Sequence, residues 1–260
     1  MSDSFTSLPW QSAWITGAGR GIGAALAELL CQRGVTVYAS ARNQTELTQL
    51  KQRLRGAPGK IIPVALDITD RLQIDALMQQ WQQQADVPDL VVLNAGTHDP
   101  FPALEFTAER CRALLDVNLQ GTLNCLDPVL KYFNEQDRGQ IAVMASVAGY
   151  RGLPTAAAYG AGKAALINLC EALYLDLQGG GVKLQVINPG FVRTPLTDKN
   201  KFSMPALMEP EEAAERILDG LLSNRFEIAF PRRFVYLLKL MRILPYRWYF
   251  SLVSKTTQNH

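Results

Sequence analysis

Tyr159 and Lys163 are the residues whose types and spacing offer chemistry first. They stand four apart in the run Thr155-Ala156-Ala157-Ala158-Tyr159-Gly160-Ala161-Gly162-Lys163. In a helix that spacing puts both on one face, about 5 to 6 Å apart at Cβ. A free phenol has a pKa of about 10 and is a poor acid or base at neutral pH, but a nearby cation favours the phenolate. An ammonium about 4 Å from the phenol oxygen would interact by roughly 4 kcal/mol at an effective dielectric constant of about 20. The pair is therefore a candidate for a tuned proton donor. The same spacing also arises in helices with no catalytic role, so the rest of the chain has to supply the partner of the reaction.

The elements that position this pair follow from the hydrophobic pattern. Ser12 to Thr16 is a short apolar strand. The glycine-rich turn Gly17-Ala18-Gly19-Arg20-Gly21-Ile22-Gly23 follows it and leads into the helical pattern Ala24 to Arg33. Strand, glycine turn and helix N-terminus form an anion site, because free backbone N–H groups and the helix dipole point at the turn, and the expected ligand is a pyrophosphate. A second strand, Val35 to Ser40, is followed by Ala41 and Arg42. An acidic residue at that strand end would bind a ribose 2′-hydroxyl. Arg42 and Arg20 supply positive charge instead, which favours NADP(H), with NAD(H) as the alternative. Both also read as solvated surface arginines.

The alternation continues with helix Gln44 to Arg55, strand Lys60 to Leu66 ending at Asp67-Ile68, helix Asp70 to Gln84, and strand Leu90 to Leu93 ending at Asn94-Ala95-Gly96. A long helix is expected from Thr107 to about Asn134 and contains Asn118. Strand Gln140 to Ala145 then ends at Ser146. Helix Thr155 to Leu177 carries the opening pair, and strand Val182 to Ile187 ends at Asn188-Pro189-Gly190. Strands alternating with helices predict a single doubly wound α/β domain of Rossmann type. Its sheet is mainly parallel and covered on both faces, and ligands bind beyond the C-terminal strand ends.

Composition bounds the partners. The chain has 260 residues, 26 Lys plus Arg against 24 Asp plus Glu, and a net charge of +2, so nothing global suggests nucleic acid. Cys31, Cys111, Cys125 and Cys170 are widely spread, and His98 and His260 are the two histidines; no metal-ligand spacing is visible. Buried free thiols in a reducing cytoplasm are expected. The N-terminus, Met1 to Gln11, does not read as a signal peptide, and no stretch reads as a transmembrane span.

With these residues in place, the chain resembles the short-chain dehydrogenase/reductase family over roughly residues 10 to 230. Thr16 to Gly23 reads as TGxxxGIG, Asn94-Ala95-Gly96 as NAG, and Tyr159 to Lys163 as YxxxK. Ser146 lies 13 positions before Tyr159, and Pro189-Gly190 with Thr194 completes the set. The resemblance implies hydride exchange between a nicotinamide and a carbonyl or alcohol carbon. It implies that Ser146 bonds the substrate oxygen, that Tyr159 gives or takes the proton, and that Lys163 lowers the tyrosine pKa while holding the nicotinamide ribose. Asn118 would support a water-mediated relay behind Lys163. Asp67 and Ile68 would hold the adenine, Asn94, Ala95 and Gly96 the cofactor along the sheet edge, and Val192 and Thr194 the carboxamide. Leu93 and Ala145 stand where many relatives carry Asn and Ser. A nucleotide-binding regulator without turnover is the alternative from another class.

Two segments bear on the substrate and surroundings. Pro195 to Pro210 is a long loop with Phe202, Met204, Leu207 and Met208, which reads as a lid or as an ordinary surface loop. With His98, Phe101 and Leu153 it suggests an apolar pocket for a lipophilic or aromatic carbonyl. Residues 231–260 form an extension to a catalytic domain of residues 1–230. They carry Arg232, Arg233, Lys239, Arg242, Arg247 and Lys255 among many apolar and aromatic residues, with no acidic residue. An amphipathic helix there suits a peripheral membrane interface, packing on the domain or an oligomer interface, or a wall of the substrate tunnel. The helices Thr107 to Asn134 and Thr155 to Leu177 resemble the family's dimerising pair, which points to a homodimer or homotetramer.

Overall fold

The structure is a computed structural model. It describes residues 8–199 and 204–257, with side chains as far as Ser254. Seven strands, β1 (Ser12–Thr16), β2 (Thr36–Ala41), β3 (Lys60–Ala65), β4 (Leu90–Leu93), β5 (Gly139–Met144), β6 (Val182–Pro189) and β7 (Glu227–Phe230), form one sheet. Their order is β3-β2-β1-β4-β5-β6-β7, and every pairing is parallel. The central strands are apolar on both faces because helices cover both; the four residues of β4 are all buried. Chain direction across the sheet reverses between β1 and β4, which opens a crevice at their C-terminal ends.

Helices α1 (Gly21–Gln32), α2 (Gln44–Arg53), α3 (Arg71–Gln83), α4 (Ala108–Leu115), α5 (Gly121–Gln136), α6 (Ala157–Asp176) and α7 (Pro210–Leu222) supply the two outer layers. Three of their starts carry side-chain caps. Asn43 accepts from Thr45 N, Asp70 from Leu72 N and Gln73 N, and Thr107 from Arg110 N. The helix expected from Thr107 to Asn134 is not continuous, because a wider π-helical turn, Asp116–Gln120, separates α4 from α5. Such turns gather at functional sites, and this one carries Asn118. Helix α7 and strand β7 extend the alternation beyond the last strand expected.

After β7 the chain forms α8 (Arg232–Arg242) and α9 (Tyr246–Thr257), separated at Pro245. One face of this helix pair packs on the domain, burying Val235 and Tyr249. The other face is open. Among the described residues no helix is long and apolar enough to cross a membrane.

Candidate active site

A cleft of 460 Å³ runs along the C-terminal ends of β1, β2, β4, β5 and β6. Its floor is the glycine turn. Gly17 has φ of +67°, and a Cβ there would come within 2.8 Å of Ala95 Cα. A Cβ on Gly23 would collide with Gly17 O. These two positions therefore require glycine for the turn to close against the strand. Thr16 and Asn94 hold the turn, Asn94 lining the cleft and Thr16 buried behind it. Thr16 is buried and its Oγ1 accepts from Asn94 N (2.9 Å) and Ala95 N (3.0 Å), while Asn94 Nδ2 donates to Thr16 O at 2.9 Å. The N-terminus of α1 points into the cleft with no side-chain cap and no acid in its first turn. Its free N–H groups are thus left for an anion, and the shape and charge of this cradle fit the pyrophosphate of a dinucleotide.

At one end of the cleft stand Arg20 and Arg42, both exposed, with Asp67 and Ile68 opposite. Burial opposes the charge of Asp67, but Thr69 donates to its carboxylate from both N and Oγ1, and Arg42 adds attraction, so its pKa lies below the usual value. The fold also brings in an acid that reading strand ends does not reveal. Glu46, in the first turn of α2, lines the cleft, and its carboxylate lies so close to Gly19 that a Cβ there would overlap it.

The other end holds the chemistry. Ser146 follows β5 and caps a short turn, accepting from Ala148 N at 3.1 Å, and its hydroxyl lies near enough to the Tyr159 phenol to favour the phenolate. Helix α6 brings Tyr159 and Lys163 into the same cleft. Lys163 Nζ lies 5.7 Å from the Tyr159 ring centroid and donates to Met144 O at 2.7 Å. Burial raises the Tyr159 pKa, which the nearby Ser146 hydroxyl only partly offsets, and burial lowers that of Lys163 to about 8. Desolvation therefore governs the Tyr159 phenol, which stays protonated at neutral pH.

Asn118 is buried and spends both ends of its amide on one residue: Oδ1 accepts from Thr97 N at 2.7 Å and Nδ2 donates to Thr97 O at 2.8 Å. Its side chain thus pins the segment after β4 in place and does not line the cleft, whereas Gly96 and Ala95 do. Pro189, Gly190, Val192 and Thr194 form the wall after β6.

His98 packs its ring against that of Tyr159, centroids 4.6 Å apart, and Phe101 is buried beside it in the same loop. Leu153 is partly buried but does not line this cleft, and Phe202 lies outside the described residues. The loop after Thr194 is tied at its base, where Val192 bridges Met208 and Arg193 pairs with Glu209 at 2.8 Å. Lys199 on this loop reaches across to donate to His98 O at 2.7 Å. No local pattern marks Lys199 in the sequence, since its partner lies 101 positions away.

What such a cleft does is limited by its two ends: it holds a dinucleotide along the strand ends and presents a proton where the nicotinamide would reach. That defines a nicotinamide-dependent oxidoreductase. A family model described as short chain dehydrogenase matches residues 11–204. An uncharacterised oxidoreductase of Myxococcus xanthus is 36% identical over 241 residues, covering 92% of this chain and 94% of that one. Among solved structures, a short-chain dehydrogenase from Sphingobium yanoikuyae in complex with NADPH superposes with a TM-score of 0.78 at 26% identity, covering 90% of this chain and 96% of that one. A 3-oxoacyl-[acyl-carrier protein] reductase from Brucella melitensis with bound NAD gives a TM-score of 0.72 at 28% identity, covering 84% and 89%. The chain belongs to the short-chain dehydrogenase family and is an NAD(P)-dependent dehydrogenase/reductase.

Proposed function

We propose that the enzyme is an NADP(H)-dependent carbonyl reductase acting on a lipophilic ketone or aldehyde, with Tyr159 as the proton donor. The observation that carries this reading is that Ser146 and Tyr159 line one cleft side by side, in a site whose burial keeps the phenol protonated. A nicotinamide dinucleotide, when bound, supplies or accepts the hydride. The glycine turn and α1 bind the pyrophosphate, Asp67 and Ile68 face the adenine, and Arg20 and Arg42 meet a 2′-phosphate. Val192 and Thr194 face the carboxamide. The Ser146 and Tyr159 hydroxyls receive the substrate oxygen and stabilise the charge that grows on it, after which Tyr159 gives up its proton. Lys163 lies behind the ring, where a cofactor ribose would recruit it. His98 and Phe101, with the loop after Thr194, form the apolar side of the substrate site.

Glu46 supports a second reading, an NAD(H)-preferring alcohol dehydrogenase, because a carboxylate beside the glycine turn opposes a 2′-phosphate. Titration with NADPH and NADH, followed by a screen of carbonyls of graded chain length, tests both. Tighter NADPH binding with turnover of apolar carbonyls is expected; NADH preference would establish the second reading, and cofactor binding without turnover of any carbonyl would point to a regulator. The buried thiols of Cys31, Cys125 and Cys170 suit a reducing cytoplasm, and we place dimer or tetramer contacts on α4, α5 and α6. The catalytic domain closes with β7, leaving residues 231–260 as an extension.

A further inference from the structure

The helix pair α8 and α9 exposes a large apolar surface. Tyr236, Leu237, Leu240 and Ile243 are 52 to 77% exposed, and their spacing sets them on the outer face of α8. Tyr246, Trp248 and Phe250 on α9 are exposed to a similar degree. Exposed large apolar side chains gathered on two adjoining helices mark an interaction site.

Charge identifies the occupant. Arg232, Arg233, Arg242 and Arg247 are exposed on the same two helices, and the sequence after Phe230 has no acidic residue. Arg232 and Arg233 join Arg216 and Arg225 along a groove of 630 Å³ whose acids are Asp219 and Glu227; Glu227 is paired with Lys239, and Arg216 with Glu212. A second copy of the chain docking here by two-fold symmetry would set these arginines against their own like. An anionic surface would not, and Trp and Tyr beside Arg are the side chains that settle at the headgroup level of a bilayer.

We propose that the open face of α8 and α9 docks on an anionic lipid bilayer, lying in its headgroup region without spanning it. The docking surface is separate from the cofactor cleft, so it stands whether or not the proposed substrate class is right. Its test is co-sedimentation of the full-length protein with vesicles of phosphatidylcholine alone and of phosphatidylcholine with one third phosphatidylglycerol. Binding is expected only to the anionic vesicles and should weaken with salt. Arg232→Ala and Arg233→Ala should each weaken it about fivefold, the size expected for a basic side chain near an anionic surface, and Leu240→Glu should abolish it. Thermal melts and NADPH binding confirm that each variant is folded. Equal binding to both vesicle types, or to neither, would overturn the proposal. So would a Leu240→Glu variant that turns an oligomer into a monomer but still binds vesicles, which would make this face a subunit interface.

Discussion

The Arg151 guanidinium lies 4.0 Å above the centre of the Tyr249 ring. It also donates to the carbonyls of Met241 (2.5 Å), Arg242 (3.0 Å) and Leu244 (2.8 Å), the end of α8, and Tyr249 Oη donates to Gly152 O at 2.6 Å. One residue earlier, Tyr150 donates to Glu227 at 2.5 Å, and Glu227 is paired with Lys239 on α8. The C-terminal helices are thereby fastened to the loop that begins at Ser146. A cation at a helix C-terminus and over an aromatic face is stabilising on both counts.

Arg151→Ala should release α9 and loosen the Ser146 loop. The expected cost is about 1 to 3 kcal/mol of stability, with faster amide exchange over residues 246–257 and a reduced kcat. Unchanged exchange in α9 would show that the contact is not a fastening.

Tyr159→Phe should lower kcat by about 10²- to 10⁴-fold, the range for a positioned acid or base, with cofactor affinity retained. Because burial raises the Tyr159 pKa, carbonyl reduction should be flat across neutral pH and fall only in alkali. Alcohol oxidation, which needs the phenolate, should rise with pH. A reduction rate that falls through neutral pH would contradict a protonated Tyr159.

Arg20, Arg42 and Glu46 set opposing charges at one end of the cleft. Arg42→Ala and Arg20→Ala should weaken NADPH binding about fivefold each while leaving NADH nearly unchanged, since an ion pair at an exposed site is worth up to about 1 kcal/mol. Glu46→Gln should strengthen NADPH binding relative to NADH. Calorimetric titration of the variants with both cofactors measures this directly, and an unchanged ratio in all of them would remove the phosphate role.

Lys163 makes stability depend on pH. The folded protein holds its pKa at about 8, below the 10.5 of an open lysine. The unfolded chain therefore binds this proton more tightly, so stability is reduced by about 3 kcal/mol below pH 8, and the penalty fades as pH rises from 8 towards 10.5. Denaturant titrations of cofactor-free protein and Lys163→Met across that window should show the parent gaining stability relative to the variant as pH rises. Parallel pH profiles would mean that Lys163 is better solvated than its burial implies.

The glycine turn, the alternation of strands and helices, and the Tyr159–Lys163 spacing were legible in the sequence because each is a local pattern. A turn that must pass close to Ala95 needs glycine wherever it occurs, and a strand covered on both faces needs an unbroken apolar run. Family resemblance then assigned Ser146 to the same site. Folding alone decided the rest. It turned Lys163 towards Met144 O, spent the Asn118 amide on Thr97, drew Glu46 and Lys199 to the cleft, and set Arg151 against Tyr249. Each of these depends on side chains brought together from distant parts of the chain. The strength of Tyr159 as an acid depends on them most of all, because desolvation is the sum of everything packed around the phenol and no spacing in the sequence records it.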